Sequence, residues 1–127
     1  MHFPENLRYT KEHEWILFDG QTGIVGITDF AQSELGDIVF VDVIALNREI
    51  QKNEVFGTIE AVKTVSDLYL PVSGKILEFN ESLHEHPEYI NTDPYGKGWI
   101  IKIEVKNPLE FESLLSSEEY KKLIGAI

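Results

Sequence analysis

The segment of about residues 55–70 holds two strand-forming runs that meet at a short polar tip, and this constrains the fold more than any other part of the chain. Val55, Phe56, Thr58 and Ile59 lead in, and Val65, Leu68, Tyr69 and Leu70 lead out; β-branched and aromatic residues of this kind favour strands. Glu60-Ala61-Val62-Lys63-Thr64 lies between them, so the segment reads as a hairpin with one lysine at its apex. A lysine at a wet turn commonly does nothing beyond staying solvated. Lys63, however, is the only basic residue from Asn53 through Gly74, a span that also contains Glu54, Glu60 and Asp67. A partner can therefore find this amine without a competing neighbour.

The remaining pattern is mostly strand. Trp15-Ile16-Leu17-Phe18 and Gly23-Ile24-Val25-Gly26-Ile27 flank Asp19-Gly20 and predict a hairpin with a loop of several residues. A short helix follows, with Asp29 as its cap, Gln32 at the reciprocal position and Gly36 as a left-handed stop. Strands return at about 38–43 and 55–59. In Trp99–Val105, the last strand, Ile101, Ile103 and Val105 share one face and Lys102 and Glu104 the other. The period then changes. Asn107 caps a helix with Pro108 at its first position and an apolar stripe of Phe111, Leu114 and Leu115. Ser116 and Glu119 form a capping box for a second helix, with Tyr120, Leu123 and Ile124 on one face. These helices, at about 107–125, are expected to cover the sheet. Glycines 20, 23, 26, 36, 57 and 74 punctuate the strands, as suits a small sandwich or flattened barrel.

At 127 residues the chain fits one domain. With 22 acidic against 11 basic residues its formal net charge is −11, which argues against nucleic acid and anionic membranes and favours basic protein surfaces as partners. No apolar run reaches the roughly 20 residues a membrane span needs, and Met1-His2-Phe3-Pro4-Glu5 has no signal or transit character. The chain as given reads as cytoplasmic, with the mitochondrial matrix as its setting only if a transit peptide has been removed. There is no cysteine, so redox chemistry must come from an attached group. His84-Glu85-His86 is the nearest approach to a metal pattern, but it lacks further ligands, and no metal is expected.

Glu60–Asp67, continuing through Tyr69, Pro71, Ser73-Gly74 and Glu78-Phe79-Asn80, resembles the lipoyl-attachment hairpin of the glycine cleavage system H-protein. Tyr9-Thr10-Lys11-Glu12-His13-Glu14-Trp15 is similar to that family's opening segment, and Val25–Gln32 with Leu35-Gly36-Asp37 to its next block. Asn91, Asp93-Pro94-Tyr95-Gly96 and Gly98-Trp99, then Leu114-Leu115 with Tyr120 and Leu123-Ile124, extend the resemblance over nearly the whole chain. The chain departs from the family at Val43–Arg48, where a proline followed by a glycine is common. Asn47 stands in for the glycine, since asparagine tolerates a left-handed backbone.

The resemblance implies a mostly β fold, a lipoyl/biotinyl-type β-sandwich with a short internal helix and C-terminal helices. It makes residues 1–127 a single lipoyl-carrier domain with lipoate bound covalently to Lys63. Such a carrier is not an enzyme. It takes the aminomethyl group of glycine from the pyridoxal-phosphate decarboxylase (P-protein) to the tetrahydrofolate-dependent aminomethyltransferase (T-protein), and dihydrolipoyl dehydrogenase (L-protein) reoxidises it. A lipoate ligase or lipoyl/octanoyl transferase attaches the group, with Glu60 expected to help it read the tip. Glu14 and Asp67 are the candidates for holding the loaded arm, the alternative being two solvated acids of an acidic chain. Trp15 and Trp99 read as packing residues. A biotin carrier usually sets methionine on both sides of its lysine, and a 2-oxo-acid dehydrogenase lipoyl domain usually reads Asp-Lys-Ala; Val62 and Thr64 fit neither. A relay protein that passes lipoyl or octanoyl groups on needs the same lysine and stays open as the alternative function.

Overall fold

The computed structural model describes residues 1–127. Strands β1 (Arg8–Tyr9), β2 (Glu14–Asp19) and β3 (Thr22–Ile27) run antiparallel in succession. Only Gly20-Gln21 separates β2 from β3, with Asp19 paired to Thr22, so the loop is tighter than expected. Gly20 allows this with a φ of 64°, the left-handed geometry that the first position of such a two-residue turn needs. Helix α1 (Asp29–Leu35) is capped by Thr28 rather than Asp29: Thr28 keeps an extended backbone and its Oγ1 accepts from Ala31 N at 3.1 Å. Asp29 becomes the first helical residue, and its carboxylate accepts from Gln32 Nε2 at 2.8 Å. Gly36 ends the helix at φ 78°, as its position predicts.

The central strands are β4 (Ile38–Val43), β5 (Glu49–Ile50), β6 (Val55–Ala61), β7 (Val65–Tyr69) and β8 (Gly74–Phe79). Short helices α2 (Ser82–Glu85) and α3 (Tyr89–Thr92) then lead to β9 (Ile101–Val105). Two antiparallel sheets result, one of six strands in the order β1-β2-β3-β9-β8-β5 and one of three in the order β4-β6-β7. Their inner faces meet in one core, where Val41 and Ile59 of the small sheet join Ile76, Ile101 and Ile103 of the large one. Each such side chain contributes about 1.5–3 kcal/mol on leaving water. The large apolar residues that alternate along the strands are thus what pins the register. Asn47 does adopt the left-handed backbone, at φ 66°, and donates to Ile76 O at 2.8 Å.

The C-terminal cover differs from expectation in two places. Asn107 caps with Pro108 next to it, but Pro108–Ser113 is a 3₁₀ helix, and Leu114 and Leu115 lie beyond it. Glu110 ties this turn to the segment before β8, since its carboxylate accepts from Ser73 N at 2.7 Å and from Ser73 Oγ at 3.1 Å. Leu115 then pairs with Tyr9 through two backbone hydrogen bonds and belongs to the second cluster, while Phe111 and Leu114 join the main core. Helix α4 (Ser117–Leu123) has the expected capping box between Ser116 and Glu119. It buries Tyr120 beside Phe3, Leu7, Tyr9 and Trp15, with Ile124 against them, but Leu123 remains 49% exposed and faces away. Trp15 is fully packed and Trp99 lines the same cluster, as expected of indoles in a small protein. No helix is long and apolar enough to cross a membrane.

Candidate functional site

Glu60 of β6 pairs with Val65 of β7, and the chain reverses through Val62-Lys63-Thr64, closed by a hydrogen bond from Ala61 N to Thr64 O of 2.8 Å. All three tip residues are exposed. The tip is nonetheless held from outside the hairpin, because Val62 N donates to Asp37 O at 3.0 Å, in the turn between α1 and β4. Asn91 of α3 fixes that turn. Ile38 N donates to its Oδ1 at 3.0 Å, while its Nδ2 donates to Gly36 O at 2.8 Å and to Gln32 Oε1 at 3.1 Å.

Lys63 lies across this turn. A Cβ added to Gly36 would sit 3.5 Å from Lys63 Cε and 3.8 Å from Nζ, so the lysine stem runs in van der Waals reach of this turn. The ammonium forms none of the chain's ion pairs. An amine that gives up no carboxylate partner on acylation, at an apex that other elements immobilise, fits covalent attachment of an acyl group. The sequence marks Gly36 as a helix stop and, like Asn91, as part of a family-like block. Their joint role needs contacts between residues 53 to 59 positions apart, which no local signal carries.

The three acids expected near the site fall in different environments. Glu60 is exposed on the outer face of the small sheet, with Phe40 opposite on one side and Val65 on the other. Asp67 is exposed on the same face, opposite Thr58. Glu14 is not a solvated acid, being only 2% exposed. It accepts from Thr10 Oγ1 at 2.6 Å and from Tyr69 N at 3.3 Å. It thus reaches β7 two residues beyond Asp67, but no hydrogen bond joins the two acids to each other or to Lys63.

Loss of water around Glu14 pushes its carboxyl up to about 8, against the smaller downward pull of the Thr10 and Tyr69 hydrogen bonds. Burial therefore favours the neutral acid over the carboxylate. Thr10 and Tyr69 also line a cleft of about 540 Å³, together with Lys11, Lys52 and Leu115. Tyr69 lies four residues along β7 from Val65, roughly 13 Å at the rise of a strand. The adjoining His13 packs on Phe30 and meets Tyr120 OH at 2.8 Å, and Tyr120 OH meets Thr28 Oγ1 at 2.8 Å. This chain of contacts ties the C-terminal helix to the cap of α1, and so to the turn that supports Lys63. His84 and His86 each face a separate exposed carboxylate, Glu81 and Glu88.

Two antiparallel sheets packed face to face, with a lysine at the exposed end of one hairpin and short helices at the chain end, define the lipoyl/biotinyl-type sandwich. The sequence model of the family described as Glycine cleavage H-protein matches residues 7–127. The chain is similar to the glycine cleavage system H protein of Bacteroides fragilis, with 52% identity over 126 residues, 99% of this chain and 100% of that one. It is also similar to that of Symbiobacterium thermophilum, with 56% identity over 117 residues, 92% and 91% of the two chains. Among solved structures, the crystal structure of a glycine cleavage system H protein from Mycobacterium marinum superposes with a TM-score of 0.84 at 37% identity, covering 97% of this chain and 99% of that one. The chain belongs to the glycine cleavage H-protein family.

Proposed function

We propose that this chain is the lipoyl carrier of the glycine cleavage system, with lipoate joined as an amide to Lys63 Nζ. The observation that supports this most is the placement of Lys63: outside every ion pair and exposed at an apex braced by Asp37, with its stem along the turn at Gly36. When attached, the lipoyl group supplies the dithiol chemistry that takes up the aminomethyl unit and gives it back. The protein supplies position and reach. Acylation removes the ammonium charge and lengthens a flexible stem, while the bracing of Val62 on Asp37 presents the arm from a fixed origin to each partner. The chain catalyses nothing itself. Its partners are the P-, T- and L-proteins of the system and the ligase or transferase that modifies Lys63, with Glu60 helping that enzyme to recognise the tip.

Glu14 and Asp67 would hold the ammonium of a loaded arm in this reading. In the empty protein burial behind Thr10 and Tyr69 favours the neutral form of Glu14. An ammonium held beside Glu14 would favour its carboxylate, whose proton would pass to solvent, and Glu14 would then serve as the counter-ion. A charge-assisted bond of this kind is worth roughly 1.5–3 kcal/mol, and sequestering the head group slows its hydrolysis. The test is to lipoylate the chain, offer it glycine with an active decarboxylase, and weigh the product. Uptake of the aminomethyl unit on the Lys63 peptide supports the carrier; a lipoylated chain that never loads from glycine is a relay instead.

A further inference from the structure

The outer face of the three-stranded sheet sets large exposed apolar side chains among its acids. Phe40, Glu60 and Val65 form one cross-strand row beside the tip, and Asp42, Thr58 and Asp67 form the next. Residues opposite one another in such rows stand about 4.5–5.5 Å apart, so the two rows are a continuous surface. Phe40 is 48% exposed and Val65 62% exposed, and Val62 at the tip is 76% exposed. The inner face at the same registers is Val41 and Ile59, both buried, so Phe40 and Val65 have no place in the core. Asp42, Glu60 and Asp67 are exposed among these apolar groups, and none of the three is in an ion pair.

We infer that this face, centred on Phe40, Glu60 and Val65, is the docking surface for the enzyme that acylates Lys63, and that its counterpart there is an apolar recess rimmed by Lys or Arg. The inference rests on the carrier reading, since it takes Lys63 as the acylated residue. An enzyme that brings an activated acyl group to Nζ must cover the surface next to Lys63, and the row of Phe40, Glu60 and Val65 adjoins the tip. The step it performs is an acyl transfer from an acyl adenylate: the neutral amine attacks the acyl carbon, the acyl–phosphate bond breaks, AMP leaves, and Nζ loses a proton as the amide forms. The three carboxylates fit a basic partner by charge, and they exclude one with acids at the same points. Phe40 and Val65 provide apolar area that gains on leaving water, which charge alone does not. Glu60, lying between them, then acts within an apolar frame rather than as an isolated acid.

The experiment compares lipoylation of the unmodified full-length chain by a purified lipoate ligase, using parent, Phe40→Ser, Val65→Thr and the double variant Asp42→Asn/Asp67→Asn. Binding to the same ligase without ATP is measured alongside, so that affinity is read apart from turnover. Phe40→Ser and Val65→Thr should each raise KM and the Kd roughly 5- to 10-fold with kcat unchanged. The double variant should flatten the rise of KM with salt. Reaction of Lys63 with a small N-hydroxysuccinimide ester should be equal in all four, which shows that the amine is equally available. Unchanged KM and Kd in both Phe40→Ser and Val65→Thr overturn the docking surface while leaving Lys63 as the site. A parent that the ligase does not modify at Lys63 fails the carrier reading itself. Concentration-dependent dimerisation of the parent, abolished in Phe40→Ser, would assign the face to a second copy of this chain and overturn the inference. So would a loss of affinity for the decarboxylase with none for the ligase.

Discussion

Replacing Glu14 by glutamine should make the protein more stable at alkaline pH and change it little at acid pH. The side chain is 2% exposed and its carboxyl is pushed from the ordinary 4.5 to about 8, chiefly by desolvation. Unfolded, the same group ionises near its ordinary value. The folded protein therefore binds one more proton than the unfolded chain between about pH 4.5 and 8. Stability falls as pH rises through that window, and the loss is complete above it. A displacement of this size corresponds to roughly 5 kcal/mol at about 1.36 kcal/mol per unit. That figure is a ceiling, because the ionised acid draws in water and its surroundings relax, and about 2–4 kcal/mol is the expected loss. Glutamine keeps the shape and an oxygen that can accept from Tyr69 N but cannot ionise. Denaturant unfolding of parent and Glu14→Gln, both without lipoate, should show a stability gap that widens in favour of the variant from pH 5 to pH 9. Other titrating groups are common to both proteins and cancel in the difference. A gap that is flat across this range would mean that Glu14 is already ionised in the folded protein, and the proposed proton release on loading would fall with it.

Further expectations concern the tip and its supports. Lys63→Arg should fold normally but accept no lipoyl group, whereas Lys75→Arg should be modified like the parent, both read by intact mass. Glu60→Ala and Glu60→Lys should be lipoylated more slowly with melting unchanged; equal rates for both would leave Glu60 a solvated acid. In the lipoylated protein loaded from glycine, Glu14→Gln and Asp67→Asn should release the aminomethyl unit faster while the dithiol reoxidises as before, and equal lifetimes would remove both acids from this role. Ser116→Ala breaks the capping box of α4 and should cost about 1 kcal/mol, measured by denaturant unfolding.

Strands β2, β3, β4, β6, β7 and β9 were legible in the sequence because their runs of strand-forming residues are local, and the boundaries of β4 match the expected 38–43, whereas β1, β5 and β8 were not expected. The Lys63 hairpin was legible for the same reason. The cap of α1 was misplaced by one residue because Thr28 and Asp29 are both good capping types; tertiary contact decided, with the Thr28 hydroxyl also bonding Tyr120 OH. Pro108–Ser113 is held by Glu110 reaching Ser73, 37 residues away, and no helical periodicity could show that contact. At the site, the burial of Glu14 was hidden for a related reason: an acid beside Trp15 near the start of a strand looks solvated until Thr10 and Tyr69 are seen to enclose it.

The central claim is that Lys63 bears the lipoyl group, and mass analysis of the protein isolated from its own host tests it most directly. Intact mass followed by peptide sequencing should find one lipoyl adduct, located on Lys63 and on no other lysine. An unmodified Lys63 in cells whose other lipoyl proteins are modified would contradict it.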